Sequence, residues 1–175
     1  MPQGPKLRCA AATPPFEVVL VEPEIPPNTG SVARTCAATS SPLHLIRPLG
    51  FSIDERAVRR AGIDYWHLVS VHEHDSFDDY LATASPPKVH LFASGADRSY
   101  LDADLTPGDA LVFGKESVGL SDEILARFPD RVWGIPTSGA VRSLNLSNAV
   151  AIVLFEALRR TGTLADHRPA KDLAP

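Results

Sequence analysis

The sequence predicts an α/β fold: a parallel sheet flanked by helices. Two observations carry this. Short runs rich in β-branched and apolar residues alternate with helical patterns along the whole chain, the spacing of a sheet covered on both faces. The last such run feeds a polar loop and then seven apolar residues in unbroken succession, Ala149 to Phe155. A helix apolar all round is expected to be enclosed on most sides.

In chain order, residues 16–22 (FEVVLVE) read as a buried strand. Pro23, Pro26 and Pro27 then call for extended backbone. A helix is expected to start at Asn28 or Thr29, with Val32, Ala33, Cys36 and Ala37 as its inner face. Arg34 follows Asn28 by about two helical turns and could look over the end of the first strand, although spacing alone favours a surface arginine. Leu43–Ile46 is a second strand. Ser52 with Glu55 three residues on is a capping-box signal for a helix through Arg60. That helix carries Arg56, Arg59 and Arg60, which either form an RNA-facing edge or, more commonly, a solvated face. Tyr65 and Trp66 suit base stacking and core packing about equally.

A third strand is expected over residues 67–71, then a polar connection holding His72, Glu73, His74, Asp75 and Asp78. Those side chains could ligate a metal, but no second cluster completes a coordination shell, so no metal is expected. Residues 76–84 read as a helix and 89–93 as a fourth strand, followed by a polar segment to Asp109. Ala110–Phe113 is a fifth strand running into GKESVG, whose glycines allow close backbone approach. Ser121 caps a helix to about Arg127, and residues 131–135 form a sixth strand. Asn145 or Ser147 caps the last helix. Ligands of parallel sheets bind beyond the strands' carboxyl ends, so the loops after Glu22, Phe92, Phe113 and Ile135 are expected to share one edge.

A chain of 175 residues fits one domain. Residues 1–15 read as a flexible tail, 16–162 as the domain and 163–175 as a second flexible tail. Hydrophobic content of 44% and charged content of 22% are ordinary for a soluble protein, and no apolar run reaches the length of a membrane span. Two cysteines are too few for a disulfide framework, so a cytoplasmic setting is expected. The net charge of −4 excludes a general nucleic-acid binder; an RNA partner would need a local basic patch.

Three segments stand out together: EPEIPPNTGSVAR (22–34), FGKESVGL (113–120), and Ile135-Pro136 with SLNLSNA (143–149). In this order and at these separations they resemble the three motifs of the SPOUT superfamily of RNA methyltransferases. The match is to its ribose 2′-O-methylating branch, and within it to the short single-domain enzymes that modify the tRNA wobble nucleotide. The RAGIDY stretch (60–65) points to the same subfamily. The resemblance covers residues 16–160. It implies a C-terminal trefoil knot, S-adenosylmethionine as cofactor, tRNA as substrate and a homodimer, with no metal and no membrane. Carried over position by position, Phe92, Gly114, Glu116, Ile135, Ser143, Leu144 and Asn148 would bind the cofactor. Asn28, Arg34, Ser143 and Asn145 would be catalytic. Arg56, Arg59, Arg60, Tyr65 and Arg142 are the expected RNA contacts. One departure from the pattern is the stretch after the fourth strand, which reads Ala93-Ser94-Gly95-Ala96 where related chains often carry threonine and lysine. The alternative readings are a 2′-O-methyltransferase of the same fold acting on rRNA or another tRNA position, and a non-catalytic RNA-binding member.

Overall fold

A computed structural model of the chain describes residues 7–52 and 66–169. Its centre is a six-stranded, wholly parallel sheet. The strands are β2 (Glu17–Val21), β3 (Leu43–Ile46), β4 (Val71–His74), β5 (Val89–Phe92), β6 (Ala110–Phe113) and β7 (Val132–Trp133), in the spatial order β4-β3-β2-β6-β5-β7. The chain lays β3 and then β4 outward from β2, returns to build β5, inserts β6 between β5 and β2, and ends with β7 outside β5. The order reverses at the β2–β6 boundary, where a parallel sheet opens a crevice at its carboxyl edge.

Side chains alternate across each strand, which divides the core in two. Val18 and Leu20 join Leu43, Leu45, Leu111 and Phe113 on one face. There α1 (Pro26–Thr39) packs beside α4 (Leu146–Arg160), through Val32, Cys36, Val150 and Leu154. Val19 and Val21 join Leu91 and Val112 on the other face, under α2 (Phe77–Ala84) and α3 (Asp122–Arg127). Ser76 and Ser121 cap α2 and α3, each hydroxyl accepting a backbone N–H from the first turn. No helix of the described residues is long and apolar enough to cross a membrane.

Several expectations need correction. The third strand is β4, over Val71–His74, and residues 66–68 form a short 3-10 turn instead. Pairing with β3 fixes this register, Leu43 opposite Val71 and Ile46 opposite His74, and an edge strand tolerates the polar residues that had suggested a connection. His74 is therefore buried, its Nε2 2.9 Å from His44 Nδ1. Among the described residues no group of three or more potential ligands could hold a metal. The first helix begins at Pro26, not Asn28, because proline's fixed φ and missing N–H suit a first helical turn. Its inner face is Thr29, Val32, Ala33 and Cys36, with Ala37 only half-buried. The last helix is not enclosed all round: Ile152 is 38% and Phe155 46% exposed, three residues apart on one face. The two segments read as flexible tails meet: β1 (Leu7–Cys9) pairs antiparallel with β8 (His167–Pro169) in an exposed ribbon. The helix expected through Arg60, with Arg56, Arg59, Arg60 and Tyr65, lies outside the described residues.

Candidate active site

The loops after β2, β5, β6 and β7 converge on one cleft of about 740 Å³ at the carboxyl edge of the sheet. That volume suits a small-molecule ligand. Its wall mixes apolar side chains (Phe92, Ile135, Leu144 and Leu146 among them) with the small residues Ala93, Ser94, Gly95 and Ala96 and the loop Gly114 to Gly119. Small side chains leave backbone N–H and C=O groups open to a ligand. The loop turns back sharply: Lys115 and Gly119 form an isolated bridge, Gly119 N–H donates to Lys115 O at 2.9 Å, and Gly119 has φ +80°. A Cβ on Gly114 would lie 2.1 Å from the Gly119 carbonyl carbon, so only glycine allows the turn.

Side chains from three distant segments lock together beside this cleft. Asn28, on the first turn of α1, donates from Nδ2 to Glu116 Oε1 at 2.8 Å. Asn145 donates from Nδ2 to Asn28 Oδ1 at 3.0 Å. The Asn145 Oδ1 in turn accepts the Ser147 N–H at 2.9 Å and hydroxyl at 2.7 Å, which makes it the N-cap of α4. Glu116 Oε2 accepts the Glu24 N–H at 2.8 Å, and Oε1 accepts that of Ile25 at 3.3 Å. Ile25 is the N-cap residue of α1 and supplies no side-chain cap of its own. A carboxylate borrowed from 91 residues away thus completes that helix end, where negative charge is also favoured by the helix dipole.

Of the residues expected to bind cofactor, Phe92, Gly114, Glu116, Ile135, Ser143 and Leu144 line the cleft, and Asn148 does not. Asn148 lies on the first turn of α4, its N–H donating to Asn145 Oδ1 at 3.4 Å. Of those expected to be catalytic, Asn28, Ser143 and Asn145 line the cleft; Arg34 sits on the exposed side of α1, outside the wall. Arg142 is exposed at the cleft. The stretch from Ala93 to Ala96, which departs from the pattern of related chains, forms part of the wall.

Two groups escaped the sequence reading. One is the set Glu22, Glu24, Lys115 and Ser117, which ties the β6–α3 loop to the β2–α1 segment. An acidic-x-acidic run and a lysine were visible, but nothing local pairs residues 93 apart. The other is a buried support for Trp133, which lines the cleft floor. Trp133 Nε1 donates to His90 Nδ1 at 3.1 Å, so His90 must carry its proton on Nε2 and donate to Asp109 Oδ2 at 3.2 Å. Burial holds the His90 ring below its ordinary titration range, against the pull of Asp109, and keeps it neutral.

Residues 15–155 match the SpoU rRNA Methylase family. The chain belongs to that family. It is 47% identical over 159 residues to the tRNA (cytidine(34)-2′-O)-methyltransferase of Polaromonas sp., covering 89% of this chain and 96% of the relative. Among solved structures it resembles one described as giving insight into the 2-OH methylation of C/U34 on tRNA, with a TM-score of 0.76 and 47% identity over 83% of this chain and 95% of the other. An AdoMet-bound rRNA methyltransferase from Sinorhizobium meliloti has a TM-score of 0.71 and 27% identity, covering 83% of this chain and 56% of that one. The SpoU match spans all three segments that meet at the cleft.

Proposed function

We propose that this SpoU-family chain transfers a methyl group from S-adenosylmethionine to the ribose 2′-oxygen of the wobble nucleotide, cytidine or a modified uridine, in a tRNA anticodon loop. The observation that carries the reading is the Asn145–Asn28–Glu116 chain of hydrogen bonds, which joins three segments up to 117 residues apart at one cleft. The 47% identity to a tRNA (cytidine(34)-2′-O)-methyltransferase names the substrate class.

The cleft fits the cofactor: its size, its apolar wall for a flat purine and its exposed loop backbone for polar groups are all suitable. Phe92, Gly114, Ile135 and Leu144 would hold it, with Ser143 and Glu116 at its polar end. When bound, it supplies an already activated sulfonium methyl, and no metal is needed. The chain must place the ribose oxygen in line and exclude water; such positioning contributes several kcal/mol to lowering a barrier. Asn28, held from both sides and lining the cleft, would be the orienting group. Arg34 lies about 9 Å farther along α1. A guanidinium stays protonated in proteins and is a poor proton acceptor. Arg34 therefore acts by gripping a backbone phosphate with its planar fork and stabilising the developing alkoxide. The proton leaves to a phosphate oxygen or to water. Asn145 holds Asn28 through its amide nitrogen.

Arg142 at the cleft, with Arg56, Arg59, Arg60 and Tyr65, is the proposed RNA surface. A homodimer is proposed because Ile152 and Phe155 leave an apolar face of α4 uncovered next to the site. A knotted C-terminus is supported by the path of the chain. From the edge strand β7 it returns across the cleft, past Arg98, whose carbonyl accepts the Gly134 N–H at 2.8 Å, to pack α4 against α1. With tRNA as substrate, the proposed compartment is the cytoplasm.

The test is tritiated methyl transfer to total tRNA followed by nucleoside mapping. The expected product is a 2′-O-methylated nucleotide at the wobble position. Label in rRNA or at another tRNA position, or no transfer, would overturn the assignment.

A further inference from the structure

Residues 115, 116 and 117 each grip the segment that leads from β2 into α1. Lys115 Nζ donates to Glu22 Oε2 at 2.7 Å. Glu116 takes the backbone N–H groups of Glu24 and Ile25. Ser117 donates its N–H to Glu24 Oε2 at 3.0 Å and its hydroxyl to Glu24 Oε1 at 2.9 Å. The two carboxylates therefore cross: Glu116 holds the backbone of Glu24, and Glu24 holds the backbone of Ser117. Glu22, just upstream, is fixed in the left-handed region at φ +51°, a conformation that a non-glycine residue keeps only when its surroundings impose it.

On one side of this crossed clamp is the β6–α3 loop, which lines the cleft. On the other is the first turn of α1, with Asn28, and farther along the same helix Arg34. We propose that Glu24 is a positioning residue that makes cofactor binding and RNA binding cooperative, a role that rests on the function proposed above. The bonds between Glu24 and residues 116 and 117 are solvent-exposed and each is modest alone. Together they close a ring in which the loop and the helix end cannot shift separately. A ligand that fixes the loop then also fixes Asn28, and by linkage RNA binding must favour the cofactor to the same degree.

The test measures the tRNA dissociation constant with and without saturating S-adenosylhomocysteine, for the wild type and for Glu24→Ala, Glu24→Gln and Ser117→Ala. The wild type is expected to bind tRNA at least ~5-fold tighter with S-adenosylhomocysteine present, the lower end of common coupling factors. Glu24→Ala brings the ratio close to one. Glu24→Gln keeps it, because the amide oxygen accepts the Ser117 N–H while the amide nitrogen donates to the Ser117 hydroxyl. Ser117→Ala, which retains the N–H bond, gives an intermediate ratio and serves if Glu24→Ala does not fold. A wild-type ratio of one, or a ratio unchanged in Glu24→Ala or, failing that variant, in Ser117→Ala, overturns the proposal. Normal methyl transfer to tRNA with a ratio of one defeats the clamp alone. An absence of methyl transfer or of tRNA binding defeats the functional reading and the clamp with it.

Discussion

Gly114 is held to glycine by distance alone. A side chain there would collide with the backbone of Gly119 and Leu120, not with a flexible group that could move aside. Gly114→Ala should therefore push the loop out of the cleft and weaken S-adenosylhomocysteine binding by about tenfold or more, or about 1.4 kcal/mol. Calorimetric titration checks this, and wild-type affinity in the variant would show that the loop does not shape the cofactor site. Arg34 poses a different question, that of geometry rather than charge. Arg34→Lys keeps the cation and loses the planar fork, so turnover should fall ~10-fold or more with the chain fully folded. Undiminished turnover in a single-turnover assay would mean that bidentate contact plays no part. At this scale the sequence was informative wherever the motif itself named a position, as with Asn28 and Glu116. It was silent on the pairing of Glu24 with Ser117, a contact that only the fold makes.

Helix α4 shows how one residue serves both an element and the site. Asn145 caps the helix with its carbonyl oxygen and holds Asn28 with its amide nitrogen. Asn145→Ala should lower stability by about 1 kcal/mol and lower transfer as well. Asn145→Asp should separate the two, because it keeps the capping acceptor and loses the donor to Asn28. Thermal melts near wild type with transfer reduced several-fold are the expected pair of results; unreduced transfer would remove Asn145 from the orienting chain. The cap was expected from its residue type and place, since a capping bond spans only two or three residues. The partner on α1 was not.

The packing of α2 on the sheet carries a pH dependence. His44 on β3 is buried against His74, stacks 4.9 Å from His72, meets Tyr80 edge-on, and has Glu17 3.8 Å from its Nε2. Burial, with the neighbouring histidines adding to it, lowers its pKa from 6.5 to about 3. His74 is lowered too, chiefly by burial, against Asp79. The unfolded chain thus takes up protons near pH 6.5 that the folded chain refuses until about pH 3. Stability from His44 is complete above pH 6.5 and falls on acidification, by at most about 1.4 kcal/mol per pH unit. Glu17, raised by burial, offsets part of this slope above pH 4.5, since its stabilising protonated form is lost as pH rises. Urea midpoints should therefore fall between pH 7 and pH 5, and His44→Leu should flatten the fall. An unchanged slope in that variant would place the acid sensitivity elsewhere.

Over the whole molecule, the proposed dimer rests on the uncovered apolar face of α4, with Ile152 and Phe155 exposed. Phe155→Glu, together with Ile152→Glu, should convert a dimer to a monomer in sedimentation velocity while leaving the fold intact. A wild-type chain that sediments as a monomer at micromolar concentration would overturn the proposed dimer. Charge acts at the same scale. A net −4 chain that binds tRNA must do so through a local arginine surface, so affinity should fall steeply with salt. A flat response between 50 and 200 mM salt, values in the range where phosphate contacts are sensitive, would exclude that surface.

Residue order alone specified what depends on near neighbours. Runs such as VVLV dictate strands, Ser76, Ser121 and Asn145 dictate helix starts, and three short motifs declare a family. The folded chain decided everything that depends on its path. β4 takes its register from β3, not from its own polar sequence. The apolar run in α4 is half-covered because only one of its faces meets α1 and the sheet. Glu24 meets Ser117 across 93 residues, and Asn145 meets Asn28 across 117. Backbone preference is set within a few residues, whereas a contact between distant loops exists only once the strands that carry them lie side by side.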